Sequence, residues 1–373
     1  MGINNVIDVH CHMFNAKFVI MELITVTWNF TWGNYPYAKG MDRNFLDNTN
    51  IATLGGVREF AAWGARLIDA SILDCQGNYN TELKEFNSSK MGKDASLVVT
   101  PLMVDLYFAL DENKSQYSPD RFTINQEHKN GFELHINRIK KLVIEELQKL
   151  QENQPKVINE GILTTIAMES IFRDFYEIIN HEFNYNGIEL SPGYEMHMKE
   201  LEKLSKGNPG KVFPFLAVDP RRLGIIKLID LKINKGKGIF RGIKLYPPLG
   251  YLPTHPGLVQ IFDYCTKYDI PVTTHCSEGG IANFRKENYV VSWDRENLLI
   301  DFNSLGKSKS SFYAAPENWI PVLKRWPTLR LNFAHFGGSD NWMESIIGIM
   351  EKYENVYTDI SYLRNIHLHL IDA

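Results

Sequence analysis

The sequence predicts an α/β chain folded as a (β/α)8 TIM-type barrel with large helical insertions. Two observations carry this. Short apolar, β-branched runs alternate with segments of helical periodicity, and histidines recur where such runs end, the position of functional groups in this architecture. Parallel strands covered on both faces read as continuous apolar runs. The candidates are Asn5 to Val9, Ser96 to Val104, Val212 to Val218, Ile239 to Leu245, Ile270 to Thr274, Leu329 to Ala334 and Val356 to Ile360.

Between them, Val57 to Ser71 and Glu133 to Leu150 have apolar residues three and four apart, as a helix with one buried face requires. Pro256 to Tyr268, Pro316 to Trp326 and Trp342 to Tyr353 read the same way, two of them opening on a proline that suits a helix start. The second half is a regular β/α repeat. In the first half the stretches at about 13–95 and 105–210 exceed an ordinary connection. They are read as insertions over one end of a single domain covering residues 1–373. Leu163 to Phe183 and Tyr194 to Lys206 look like inserted helices, and Asn29 to Asn50 like loop.

Composition sets the outer limits. With 44% hydrophobic and 23% charged residues the chain can bury a sizeable core. A net charge of −4 leaves no basic excess for a nucleic acid backbone or an anionic membrane. Phe18 to Trp28, the longest apolar stretch, is too short and too polar to span a bilayer. No secretory signal opens the chain, and Cys11, Cys75, Cys265 and Cys276 form no CxxC pair. The expectation is a cytoplasmic protein acting on a small molecule, with no nucleic acid or membrane partner and homo-oligomerisation left open.

The chemistry concentrates at strand ends. In Asp8-Val9-His10-Cys11-His12 the two histidines are two apart, so on a strand they share a face and can converge on one ion. His275, in VTTHCSEGG, and His335, in LNFAHFGG, each end a β-branched or apolar run and enter a glycine-rich loop. Lys244, in RGIKLYPP, also ends a strand: it can contact an anionic substrate, be carbamylated between two metals, or be an exposed lysine at a strand tip. Arg241 is a second cationic candidate for a carboxylate-bearing substrate. Asp359, in VYTDIS, is the remaining strand-end acid, able to ligate an ion or orient a water. Cys11 alternates away from the metal face, and nothing nearby clearly activates Cys276. His367 and His369 fall in a helical pattern, where residues two apart diverge.

Taken together, DVHCH, RGIKLYPP, VTTHCSEGG, LNFAHFGG and VYTDIS resemble the amidohydrolase superfamily, in particular the amidohydrolase-related branch that includes the aminocarboxymuconate semialdehyde decarboxylases. The resemblance runs from residue 1 to about 362, skipping the inserted regions. It implies one divalent ion, usually zinc, held by His10, His12 and His275 with an eighth-strand aspartate, and a proton-transfer or water-activating role for His335. Lys244 matches the strand-four lysine common in that branch. The pattern departs at its end, since Asp359 lies on the seventh run. Either the eighth β/α unit is lacking, the alternative favoured here, or Phe18 to Trp28 adds a strand and Asp359 takes the eighth-strand role. The leading expectation is a metal-dependent hydrolase of an amide, ester or lactone. The rivals are a non-oxidative decarboxylase of an unsaturated or aromatic acid, and a non-catalytic barrel that has lost part of its metal site.

Overall fold

The structure is a computed structural model that describes residues 5–13, 74–110, 184–185, 188–283, 287–306 and 308–361, with isolated positions between 18 and 22 and between 136 and 152. The expected elements at 29–50, 57–71, 163–183 and 362–371, with His367 and His369, lie outside the described residues. The described positions between 136 and 149 are helical, as the periodicity there requires. Phe18, Met21 and Glu22 are also helical, and the rest of the stretch weighed as an added strand, up to Trp28, lies outside the described residues.

The chain divides into two compact units. One comprises Met1–Met13, Glu82–Tyr117 and Leu201–Ala373; the other comprises Phe14–Thr81 and Ser118–Glu200. In the second unit a two-stranded antiparallel pair, β3 (Asn184–Tyr185) and β4 (Ile188–Glu189), flanks an Asn-Gly dipeptide. That dipeptide is the signal from which the sequence reading could have found it.

All seven expected strands appear in the first unit: β1 (Asn5–Cys11), β2 (Ser96–Pro101), β5 (Phe215–Val218), β6 (Gly242–Leu245), β7 (Val272–Thr274), β10 (Leu331–Phe333) and β11 (Val356–Thr358). β1 and β2 pair in parallel, and β5, β6, β7, β10 and β11 form a five-stranded parallel sheet in chain order. Parallel bridges Val99↔Val212 and Leu102↔Phe215 join the two sheets at β2. No backbone pairing closes β11 onto β1 among the described residues.

Between the strands run α1 (Cys75–Ser88), α2 (Pro192–Gly207), α3 (Ile225–Ile233), α4 (Val259–Tyr268), α5 (Ile320–Arg325) and α6 (Asp340–Lys352). Every residue of β6 is buried, the profile of a strand covered on both faces. Gly242 opens that strand because a Cβ there would stand 2.5 Å from the Phe215 ring on β5. Trp319 is fully buried, with ring centroids 5.8 Å from Phe262 of α4 and 6.2 Å from Phe333 of β10, so the α4 and β10 layers share one aromatic core.

Two features departed from expectation. The connection after β7 carries a hairpin, β8 (Glu287–Val290) with β9 (Leu298–Asp301), whose Val290 and Ile300 pack with Leu252 and Tyr313. Its charged centre, Asp294 to Glu296, had masked the flanking strands. Lys232, in a basic run (Lys232 to Lys237) of the kind that usually forms a solvated turn, is buried against Glu202.

After β2 and β5 the chain buries an ion pair. Arg222 donates from Nε and Nη2 to both oxygens of Asp105, at 2.7 and 2.6 Å, with both side chains almost wholly removed from solvent. Removing one member strands the other charge in the interior. Asp105→Ala is expected to destabilise the protein by about 3–5 kcal/mol, read from the shift of its urea midpoint.

Candidate metal centre

At the carboxyl ends of β1, β7 and β10 stand His10, His275 and His335, with His12 one residue beyond β1 and Asp359 one residue beyond β11. The rings form a chain of neighbours. Centroids are 5.2 Å apart for His12 and His10, 4.5 Å for His10 and His335, and 4.9 Å for His335 and His275.

Asp359 organises this cluster. Its Oδ2 accepts from His10 Nδ1 at 3.0 Å and from Asn332 Nδ2 at 2.9 Å. Its Oδ1 accepts from the His335 amide at 3.1 Å, the Ser361 amide at 3.2 Å and the Ser361 hydroxyl at 2.5 Å. A carboxylate offers about four lone-pair sites. These donors engage all of them, so Asp359 orients its neighbours rather than presenting a free oxygen. They also hold its carboxyl well below the usual carboxylate range, against the opposing effect of burial.

The partners fix the tautomers. Because carboxylates and carbonyls only accept, His10 carries its proton on Nδ1, toward Asp359, and His12 on Nδ1, donated to the Leu102 carbonyl at 2.9 Å. His275 carries it on Nε2, donated to the Gly279 carbonyl at 2.9 Å. In His335 the Ser361 carbonyl, 3.3 Å away, and the Ser361 hydroxyl, already committed to Asp359, both call for a proton on Nδ1. This assignment leaves a lone pair on Nε2 of His10 and on Nδ1 of His275.

His10 Nε2 is buried without a hydrogen-bond partner among the described residues. His335 Nε2 and His275 Nδ1 face each other at 3.2 Å. Two nitrogens sharing a tetrahedral zinc at about 2.0–2.1 Å lie roughly 3.3 Å apart. The donor atoms of His10, His335 and Asp359 also lie within 4.8 Å of one another. That set holds one of the expected ligands, His10, together with His335 and Asp359.

His335 occupies a left-handed backbone conformation, φ 66°, and so does Phe336, φ 45°. Such conformations cost of order 1–3 kcal/mol in residues other than glycine and persist where surrounding contacts dictate them. Here the His335 amide is fixed on Asp359.

Lys244 is 1% exposed and its Nζ has no hydrogen-bond partner among the described residues. Burial pushes its pKa down to about 8, with Asp359 and Cys276 partly opposing the shift. This excludes the exposed strand-tip reading. Arg241 is not brought to the site: it is exposed, precedes β6 at the opposite end of the strand, and donates to the Gly236 carbonyl. Cys11 and Cys276 are buried, and burial raises both thiols well above their ordinary range, as suits core packing. Sequence reasoning missed Asn332 and Ser361. Ser361 lies two residues past Asp359 in the DIS motif, the serine spacing typical of a local side-chain turn.

Burial first, then His10 and Lys244, lower the His335 pKa to about 3, so the folded protein resists protonating a ring that the unfolded chain protonates near 6.5. A base with a depressed native pKa contributes stability that is complete above its unfolded pKa and is lost as pH falls toward the native value. Metal-free protein is therefore expected to lose ~2 kcal/mol between about pH 6.5 and 5 through this ring alone. Urea denaturation across that window checks it, and His335→Asn should flatten the slope.

Residues 203–368 match the amidohydrolase family model. No curated protein matches the chain. Among solved structures, 4-oxalomesaconate hydratase LigJ from Rhodopseudomonas palustris aligns over 95% of this chain and 74% of its own, with 11% sequence identity and a TM-score of 0.40. The family match spans β5 through β11, the stretch that carries Lys244, His275, His335 and Asp359. By that match, residues 203–368 are similar to the amidohydrolase family, the resemblance that the sequence motifs already carry.

Proposed function

We propose that the chain is a metal-dependent hydrolase that cleaves an amide, ester or lactone bond of a small carboxylate-bearing substrate. The observation that carries this reading is the chain of neighbouring strand-end imidazoles, with the Nε2 of His10 buried and without a hydrogen-bond partner among the described residues. Neutral imidazoles suit a borderline divalent cation, zinc foremost. His10, His12 and His275 would hold it, and Asp359 would keep the His10 ring in the tautomer that exposes Nε2. When bound, such an ion supplies Lewis acidity to a substrate carbonyl.

The chain's own groups do the rest. His335, neutral near pH 7, is the residue placed to accept a proton at Nε2 and return it to the leaving group. Lys244, a buried cation at the same strand ends, would receive the substrate carboxylate. The same arrangement suits non-oxidative decarboxylation, the reaction of the branch whose motifs the chain resembles, and the product decides between the two. Acid release from a panel of carboxylate-bearing amides, esters and lactones supports hydrolysis. Release of CO2 from unsaturated or aromatic acids would replace that reading with the lyase.

Purified protein is expected to carry about one equivalent of divalent ion by elemental analysis, and His10→Ala less than about a tenth, with the fold retained because barrel stability resides in strand and helix packing. Full metal content in His10→Ala overturns the assignment. An empty wild-type site that added zinc does not fill leaves the non-catalytic barrel.

Lys244→Met separates binding from stability. It is expected to raise KM for a carboxylate-bearing substrate at least about tenfold, a loss typical of a charge-assisted contact. In metal-free protein at neutral pH the same variant should be more stable by roughly 2 kcal/mol, because a buried charge is gone. The wild type should gain stability as pH rises from about 8 toward 10.5, where the unfolded chain holds a proton that the native lysine has released.

A further inference from the structure

The ring of His275 is gripped by groups to which the mechanism assigns no part. Its amide donates to the Leu245 carbonyl at 3.0 Å, which anchors the end of β7 on β6. Tyr246, the next residue after β6, lies face to face with the imidazole at a centroid distance of 4.4 Å and an interplanar angle of 20°. The turn after His275 folds back so that the Gly279 carbonyl and Ser277 Oγ stand 2.9 and 3.1 Å from Nε2.

That return depends on Gly280. Its φ of +99° is one that residues with side chains rarely adopt. A Cβ there would stand 2.6 Å from the Tyr246 hydroxyl and 3.1 Å from Cε1 and Nε2 of His275. A parallel bridge, Ser277↔Gly337, further ties this turn to the one carrying His335. Left alone, His275 would relieve its contact with His335 by moving its proton to Nδ1 and donating across the 3.2 Å gap. That shift would bring the Nε2 lone pair against the Gly279 carbonyl, and a ring rotation would meet Tyr246.

We propose that Tyr246 and Gly280 are positioning residues that clamp the His275 ring with Nε2–H on the Gly279 carbonyl, so that Nδ1 is the atom turned to His335. The clamp is a property of the metal-free protein. Its purpose, keeping a lone pair ready for a cation, rests on the functional reading above.

Histidine-labelled, metal-free protein examined by long-range nitrogen-15 NMR correlation reports the tautomer directly. Wild type should show His275 protonated on Nε2. Gly280→Ala should convert this signal to a mixture or to the Nδ1-protonated form, and should weaken zinc binding, titrated against a chromophoric chelator, by at least about tenfold. Tyr246→Phe, which keeps the stacking face, should leave both readouts near wild type. In Gly280→Ala/Tyr246→Phe the hydroxyl that the new methyl meets most closely is gone, so part of the loss should return, the strain of φ +99° and the contact with the His275 ring remaining. If Gly280→Ala fails to fold, Tyr246→Leu, which removes the aromatic face and adds no clash, should show the mixed tautomer.

An Nδ1-protonated His275 in folded wild type overturns the clamp. So does an unchanged tautomer in both Gly280→Ala and Tyr246→Leu, or a double variant no better than the folded single one. A wild type with the expected tautomer, disturbed by the variants, that takes up no zinc leaves the clamp standing and removes the metal reading. Zinc binding with the opposite tautomer does the reverse.

Discussion

The cluster depends on one carboxylate. Asp359, just past the last strand of the parallel sheet, gathers donors from the end of β1, from β10, from the turn after β10 and from its own following turn. Without backbone pairing between β11 and β1 among the described residues, its bond to His10 is a contact that joins the end of the first strand to that of the last. A single buried charge thus sets the orientation of His10, the strained backbone at His335 and the approach of two strand ends. Hydrogen bonds to an ionised acceptor are roughly twice as strong as neutral ones, which is why one residue can hold so much.

The electrostatic state of the site follows from this arrangement. Burial drives histidine and lysine toward their neutral forms, and His10 and His335 further disfavour a proton on His275, as His10 does on His335. The outcome is a collection of uncharged nitrogens close together, stable as neutral groups yet poorly disposed toward one another. Such a site favours a compact cation over protons, because one ion satisfies several lone pairs whereas each proton satisfies one and adds a repelling charge. Lys244 belongs to the same balance. Its pKa of about 8 leaves it a cation at neutral pH whose proton is held less firmly than that of an exposed lysine.

The architecture and the cluster were legible to different degrees. All seven parallel strands were readable from apolar, β-branched runs, because a strand covered on both faces has no room for polar alternation. The β8–β9 hairpin was not, because Asp294 to Glu296 interrupt its pattern, and the hairpin's stability comes from contacts with Leu252 and Tyr313 far away in sequence. Arg241 illustrates the same limit. Its chemistry suited a carboxylate, but strand polarity places it at the wrong end of β6, three residues and a whole strand from Lys244.

By itself the sequence determined which residues could carry the chemistry: histidines at strand ends, a lysine after an apolar run, an acid in VYTDIS. Periodicity and residue type are local properties, and they survive in one dimension. Only the tertiary structure decided how those residues divide the work. Whether Asp359 ligates or orients, which nitrogen of each ring keeps its lone pair and whether Lys244 is exposed or sealed are all set by partners tens to hundreds of residues away. A tautomer belongs to a contact rather than to a residue, so no reading of the chain alone contains it.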